Sequence, residues 1–385
     1  MTALRLRIHD DLSEVGQQTW DALVGDATPF LEWGWLRGLE ETGCVGPEET
    51  GWIPRHVTLW DGEALVAAAP AYVKLHSMGE FVYDWSFAHA ARRLGVGYYP
   101  KLVVGVPFTP VTGRRLLVAP GEDPDTRRLQ LVAGLHRVAQ ALGCHGLHLL
   151  FTDARETELA GTAGAAPRLQ TQFQWTNADY ADFDQFLARF RSKRRKSLRR
   201  ERRAANALGL RLTRLHGDGL GLAPLMQMYD HYSRTCAMYG GHRYLNRDFW
   251  AWLHEHWAHR LQLFCGLDGE RLVGGALCVQ KGDRMYGRYW GASGQLPNLH
   301  FELCFYAPIQ HAIDRGLGGF EPGQGGRHKF RRGFEPELCR SAHWFFEPRL
   351  EGPLRGYLAQ EADDVRAGRL AQLAESPLRV KAPGA

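Results

Sequence analysis

Apolar positions recur along this chain with two periods, about two residues and about 3.6, and the same succession of periods occurs twice. HVTLWDGEALVAAAPAYVK, from His56 to Lys74, reads as strand, Asp-Gly turn, strand, because Asp-Gly supplies the positive φ that a tight hairpin needs. LFCGLDGERLVGGALCVQK, from Leu263 to Lys281, reads the same way. Asp61-Gly62-Glu63 falls on Asp268-Gly269-Glu270, Leu65-Val66 on Leu272-Val273, Ala69 on Ala276 and Lys74 on Lys281, without a gap. A second echo follows. LQLVAGLHRVAQALGCHGLHLLF (Leu129 to Phe151) predicts an amphipathic helix, a stop at Gly143 and an apolar strand, and FELCFYAPIQHAIDRGLGGFEPG (Phe301 to Gly323) predicts helix, stop at Gly316 and strand. Two features recurring in one order imply an internal duplication, that is, two α/β domains of one architecture.

The boundaries follow. The first domain covers residues 1–171 and the second 172–347, and a tail over 348–385 holds one helical stretch and a Pro-containing end expected to fray. Within the second domain, FDQFLARFRSKRRKSLRRERRAANALG predicts a helix over 182–208, with Asp179 or Asp182 as N-cap and Gly209 as its stop. Phe183, Phe186, Leu187 and Phe190 mark its buried face, continued more weakly by Leu198, Ala205 and Leu208.

Composition sharpens this picture in three places. A chain of 385 residues is long for one domain and suits two. No apolar run reaches the length of a membrane span, and the start MTALRLRIHDD has no apolar leader core, so a cytoplasmic protein is expected. Seven scattered cysteines without a CxxC predict reduced core thiols, with neither a disulfide framework nor a zinc site.

Charge is local. Between Arg189 and Arg203 lie ten cations and one acid, Glu201, a net +9, which leaves −4 for the rest of a chain of net +5. Like charges at i and i+4, such as Arg191/Arg195 and Arg195/Arg199, each cost a few tenths of a kcal/mol in a helix. A helix that tolerates this repulsion is expected to meet phosphates, with Arg194, Arg195 and Arg199 as the clamps. The alternative is a solvated surface helix.

The segment EPGQGGRHKFRRGFEPE, Glu321 to Glu337, combines a glycine turn with Arg327, His328, Lys329, Arg331 and Arg332. It lacks the GxxxxGK[ST] of a phosphate loop, and the chain has no GxGxxG, HExxH or GxSxG. His300 and Glu302 are a weak metal pair and are better read as capping and first-turn charge, so no metal is expected. What remains is a strand end whose Gly323, Gln324 and Gly326 can offer N–H groups to an anionic oxygen. Upstream, strict alternation in RMYGRYWGA puts Tyr286, Arg288 and Trp290 on one face, as a pocket wall, or as core packing.

Several stretches together resemble the Fem-like, peptidoglycan biosynthesis/recognition branch of the GNAT superfamily: GCVGPEETGWIPRH, GEFVYDW, YYPKLVVGVPFTPVTGRRLL, SKRRKSLRRER, YGRYWGA, LHFELCFY and EPGQGGRHKFRRGF. The resemblance implies an α/β (α+β) fold of two tandem GNAT-like domains with a central cleft, an enzyme, and acyl transfer to an amine. The better-known Fem ligases take an aminoacyl group from aminoacyl-tRNA and add it to a peptidoglycan precursor. By this resemblance the donor co-substrate is aminoacyl-tRNA, with acyl-CoA or acyl-carrier protein as alternatives. The acceptor is nucleotide-linked or peptide-like, and no cofactor is tightly bound. Where Fem ligases carry an F-K-x-x-F-like motif with an active-site lysine, this chain reads Phe330-Arg331-Arg332-Gly333-Phe334, so Arg331 or the nearby Lys329 takes that role. Where branch relatives read GAQGEHK, this chain reads GQGGRHK, with Gly325 for Gln and Arg327 for Glu. Glu321 and His328 then become the candidate bases. The Q/RxxGxG/A loop of acetyl-CoA-dependent GNAT enzymes has no match after RYWGA, which disfavours acetyl-CoA.

The expected chemistry is attack of an amine on an activated ester, with Lys329 or Arg331 and the glycine-turn N–H groups on the oxyanion. Asp84, Tyr99 and Lys101 are read as exposed residues lining the cleft. A non-catalytic module that recognises cell-wall precursor or RNA is the competing class.

Overall fold

The structure, a computed structural model, describes residues 4–48, 50–121 and 123–379. The chain divides into two units. One holds residues up to 170 together with 338–367, and the other holds 171–337 together with the residues from 368 on. The sequence boundary at 347 therefore differs from the structure: 338–347 leave the second half, and most of the tail helix goes with the first. Of the Pro-containing end expected to fray, residues 377–379 are held by residues 189–191, and the part from 380 on lies outside the described residues.

The strands of the first unit are β1 (Arg5–His9), β2 (Trp52–Pro54), β3 (His56–Asp61), β4 (Ala64–Ala69), β5 (Ala71–Lys74), β6 (Lys101–Val104), β7 (Leu117–Val118) and β8 (Gly146–Thr152). The Asp-Gly hairpin forms between β3 and β4, with Gly62 at φ +58°. Pro70 has no N–H for a ladder, and it separates β4 from β5. β4 stays in a sheet of order β1-β3-β4-β7. β5 instead pairs with β2 and β6, and β6 lies parallel to β8. The far side of β8 takes Arg340–Phe345 of the late strand Glu335–Phe345, which explains why that strand belongs here. The predicted amphipathic helix is Pro124–Ala141; the Asp123 carboxylate caps it by accepting from the Thr126 N–H at 2.9 Å. Its Leu131, Leu135 and Val138 pack with Val57, Leu59, Leu102, Leu147, Ala342 and Trp344 in one core.

Strand β9 (Ala166–Thr176) crosses the boundary at 170, and the second unit continues with β10 (Arg211–His216), β11 (Leu261–Asp268), β12 (Arg271–Lys281), β13 (Arg284–Ala292) and β14 (Gly319–Glu321). The second Asp-Gly hairpin joins β11 and β12, with Gly269 at φ +60°. β13 runs parallel to β14 over three pairs, Arg284–Tyr286 against Gly319–Glu321. Pro322 follows at once, and the ladder ends there.

The predicted helix over 182–208 is two helices, Phe183–Ala188 and Ser192–Asn206. Asp182 is the cap of the first, accepting from the Gln185 N–H at 2.7 Å. The break has a visible cause. Phe190 is fully buried and bridges to Leu378, the Arg191 N–H donates to the Pro377 carbonyl at 3.4 Å, and the Arg379 N–H donates to the Arg189 carbonyl at 2.7 Å. Backbone groups at 189–191 thus bond to the chain's end rather than to a continuing helix. Phe183, Phe186, Leu187, Phe190 and Leu198 do form the buried face, in the core with Phe305, Tyr306, Phe320 and Phe334. All seven cysteines are free thiols, and among the described residues no helix is long and apolar enough to cross a membrane.

Candidate active site

Where β13 and β14 part, the second unit has a pocket of about 220 Å³. One wall is the glycine turn. Gly323, Gly325 and Gly326 have φ of +83°, +74° and +89°, a left-handed run that residues with a Cβ rarely adopt. The turn leads into the short helix Arg327–Phe330, which carries His328 and Lys329 onto the pocket. The Lys329 ammonium donates to the carbonyls of Gly323 at 2.8 Å and Gln324 at 3.1 Å, and the residue is only 5% exposed. Burial brings its pKa down to about 8. Arg331, the other candidate for the family lysine, is exposed and does not line the pocket.

The opposite wall is β12 with β13, and here strict alternation fails. A bulge at Leu277/Cys278 leaves Arg288 between the pairs Cys278↔Gly287 and Leu277↔Tyr289. The extra residue exchanges faces. Gly287 and Trp290 share the side of Cys278 and Ala276, whereas Tyr286, opposite Val279, goes with Tyr289 to the other side. There the Tyr289 ring packs on Tyr232 and Trp250. The grouping of Tyr286 with Arg288 and Trp290 is therefore corrected. Arg288 and Trp290 line the pocket and Tyr286 is buried outside it. Gly287 sits in a close approach: a Cβ there would stand 3.3 Å from Pro322 Cα and from the Phe320 ring.

The third wall is the helix from Leu299 to Asp314, which widens into a π turn over Glu302–Tyr306. His300, Cys304 and Phe305 face the pocket. Burial, then the charges of His328, Arg332 and Lys329, hold the His300 imidazole down to about 4. Burial, then Lys329 and Arg332, also lowers the pKa of His328, so it is neutral at pH 7 and able to take a proton. Burial pushes the Cys304 thiol well up. Glu321 ends β14 opposite Tyr286, nearly buried and off the pocket's lining.

Behind the pocket, Arg332 ties three elements together. It lies 3.3 Å over the Phe301 ring and donates to the His328 carbonyl at 2.9 Å, the Tyr306 hydroxyl at 3.0 Å and the Glu201 carboxylate at 2.7 Å. Glu201 also accepts from Tyr306 and, at 3.3 Å, from Arg194. Burial raises its pKa, but the Tyr306 hydrogen bond and the charges of Arg332 and Arg194 outweigh this and lower it. Arg194 further donates to the Arg331 carbonyl at 2.6 Å. Arg202 pairs with Glu302 at 3.0 Å and lies over the Phe183 ring. Arg199 pairs with Asp184 at the surface. Lys193, Arg195, Lys196, Arg200 and Arg203 have no acidic partner among the described residues. The helix is thus structural on one side and uncompensated on the other.

The FemAB-like family, described as peptidoglycan biosynthesis/recognition, matches residues 11–380. The chain belongs to it. Among solved structures, this FemAB-like chain is similar to FemX, with 12% identity and a TM-score of 0.51 over 89% of this chain and 98% of FemX. It is also similar to L-PGS from Bacillus licheniformis, with 11% identity and a TM-score of 0.52 over 90% and 96% of the two chains. At such identities the likeness is one of fold alone, a mixed α/β fold shared with FemX and L-PGS. No curated protein matches the chain.

In the first unit of this FemAB-like chain, Asp84 and Lys101 are 2% and 1% exposed, not the surface residues that the sequence suggested. The Lys101 ammonium donates to Asp84, to Glu80 at 2.8 Å and to the Ser77 hydroxyl at 3.0 Å. Burial lowers a lysine pKa, but these two carboxylates outweigh it and raise it. Tyr99, half-buried, bonds Ser77 at 2.6 Å. Lys101 bonds one oxygen of each carboxylate, while Glu80 Oε1 and Asp84 Oδ1 are buried without a hydrogen-bond partner. Sequence reasoning missed Glu201, Arg332, Tyr306 and the roles of His300 and Cys304. Glu201 carried a signal as the lone acid among ten cations, and Arg332 as one cation of the glycine-turn segment.

Proposed function

We propose that this protein transfers an aminoacyl group, carried as an ester on tRNA, to the amine of a peptidoglycan-precursor-like acceptor, and that the reacting carbonyl enters the pocket between β13 and β14. The observation that carries this reading is Lys329, a buried cation held on the pocket wall by two carbonyl oxygens. A fixed ammonium at a site of low dielectric stabilises charge that develops on a carbonyl oxygen. The amine nitrogen attacks the ester carbon, the C=O electrons move to the oxygen facing Lys329, and neutral His328 takes the proton from nitrogen. Collapse breaks the carbon–oxygen bond, and the leaving oxygen recovers the proton from His328. The uncompensated cations Lys193, Arg195, Lys196 and Arg200 would hold the donor's phosphates.

The test is single-turnover transfer with purified protein and two donor classes, aminoacyl-tRNA and an acyl thioester on coenzyme A or carrier protein. Saturable transfer from the tRNA ester is expected, with Lys329→Met lowering kcat about 10²–10³-fold at little cost in KM. Transfer only from the thioester would reassign the donor. Precursor binding without any turnover would make the protein a recognition module. Full turnover in folded Lys329→Met would remove the pocket from the chemistry.

A further inference from the structure

The second unit has another cavity that this chemistry does not use. It measures about 650 Å³ and lies between the end of the helix Leu222–Met238, the end of β13 and the loop before Leu299. Trp290 and His300 line both cavities, with their rings edge to face at 5.0 Å, so they form the partition between them. The rest mixes apolar Met238, Tyr239, Leu296 and Pro297 with polar Thr235, Ser293 and Gln295. Met238 and Tyr239 line it while 61% and 79% exposed, and Tyr239 has no ring partner among the described residues.

One lining residue is charged, Arg234, and no carboxylate lines the cavity. The guanidinium is positioned rather than loose. His231, nearly buried, bonds the Leu272 carbonyl through Nε2 at 2.9 Å, which puts the ring proton on Nε2. Its Nδ1 then accepts from Arg234 Nη1 at 3.1 Å, and the same Nη1 lies 3.4 Å from the Ala292 carbonyl. Helix and strand can approach this closely because residue 291 is glycine: a Cβ there would stand 2.4 Å from the His231 backbone. A hydrogen-bonded cation with no acid on the cavity wall, beside the Tyr239 ring, unpartnered among the described residues, selects for an anion attached to something flat and apolar.

We propose that this cavity binds a small planar apolar group bearing one anionic substituent, a ring carrying a carboxylate or a phosphate, anchored by Arg234 and packed against Tyr239 and Trp290. That it seats part of the same substrate whose carbonyl reaches Lys329 rests on the transfer reading; the binding site itself does not.

Calorimetric titration of the full chain tests it with benzoate as ring carboxylate and phenyl phosphate as ring phosphate. Saturable binding of at least one is expected, and which one binds identifies the anion. Arg234→Gln should weaken it about tenfold or more, and Tyr239→Ala several-fold. Tyr239 is exposed and without a ring partner among the described residues, so Tyr239→Ala should not move the thermal midpoint; Arg234→Gln alters the bond to His231 and is titrated well below its own midpoint. Lys329→Met should leave the dissociation constant unchanged even if it abolishes transfer, which separates failure here from failure of the chemistry above. Absence of saturation by either probe, indifference to Arg234→Gln, or loss of binding in Lys329→Met would overturn the proposal.

Discussion

Lys329 and Arg331 are two residues apart, yet one is sealed among carbonyls and the other lies in water. The short helix Arg327–Phe330 turns Lys329 inward. Two titrations follow for transfer. On the acid side, the rate should rise as His328 loses its proton, below the ordinary 6.5 because burial and neighbouring cations disfavour the imidazolium. On the basic side it should fall through about 8 as the Lys329 ammonium deprotonates. A pH–rate profile of kcat/KM checks both limbs, and a flat profile across pH 8 would exclude Lys329 as the oxyanion's partner. Glu201 gives a stability prediction. Its pKa is lower folded than unfolded, so its contribution is present above the unfolded value of about 4.3 and is lost as pH falls through the folded one. Glu201→Gln leaves Arg332 and Arg194 without their shared carboxylate and should cost about 1–3 kcal/mol in urea unfolding at pH 7, with most of that difference gone at strongly acid pH.

At the scale of elements, the Asp-Gly hairpins, the helix over 124–141 and the buried phenylalanine face of the basic segment could be read from the sequence, because each is fixed by residues close in the chain. The bulge in β12–β13 could not. Nothing in RMYGRYWGA distinguishes strict alternation from alternation with one residue too many, and that one residue moves Tyr286 off the pocket and Gly287 onto it. The broken basic helix is a similar case, since its competing hydrogen bonds come from residues 377–379, almost two hundred positions away. Asp84 and Lys101 look like surface residues in sequence, because charges that meet only in the fold carry no local mark of burial. The tight seam between β13 and the helix Leu222–Met238 is testable. Gly291→Ala should destabilise the protein by about 1–3 kcal/mol as backbone is forced from backbone, measured by denaturant unfolding. An unchanged midpoint would mean that the seam gives way freely.

For the whole molecule, the duplication predicted two units and the chain divides into two, but the point at which the chain changes unit was hidden, because strand Glu335–Phe345 follows the second unit in sequence and pairs with the first in space. The uncompensated side of the helix Ser192–Asn206 predicts how binding responds to salt. Replacing Lys193, Arg195, Lys196 and Arg200 with Gln should flatten the slope of log affinity for tRNA against log salt by roughly 0.7–0.9 for each phosphate no longer neutralised. A slope unchanged in that variant would locate the polyanion elsewhere. A fragment ending at residue 171 lacks Ala342 and Trp344 from one core and Phe345, Leu350, Leu354 and Leu358 from another. It should show no cooperative melting by circular dichroism, and a sharp transition would mean that those side chains are dispensable.

Translation runs from the amino end, so the late return of 338–367 sets an order of events. While a ribosome is still extending the chain, the earliest hundred and seventy residues have apolar faces whose partners have yet to be made. Nascent chains stalled before residue 338 should therefore recruit holding chaperones that the released full-length protein sheds.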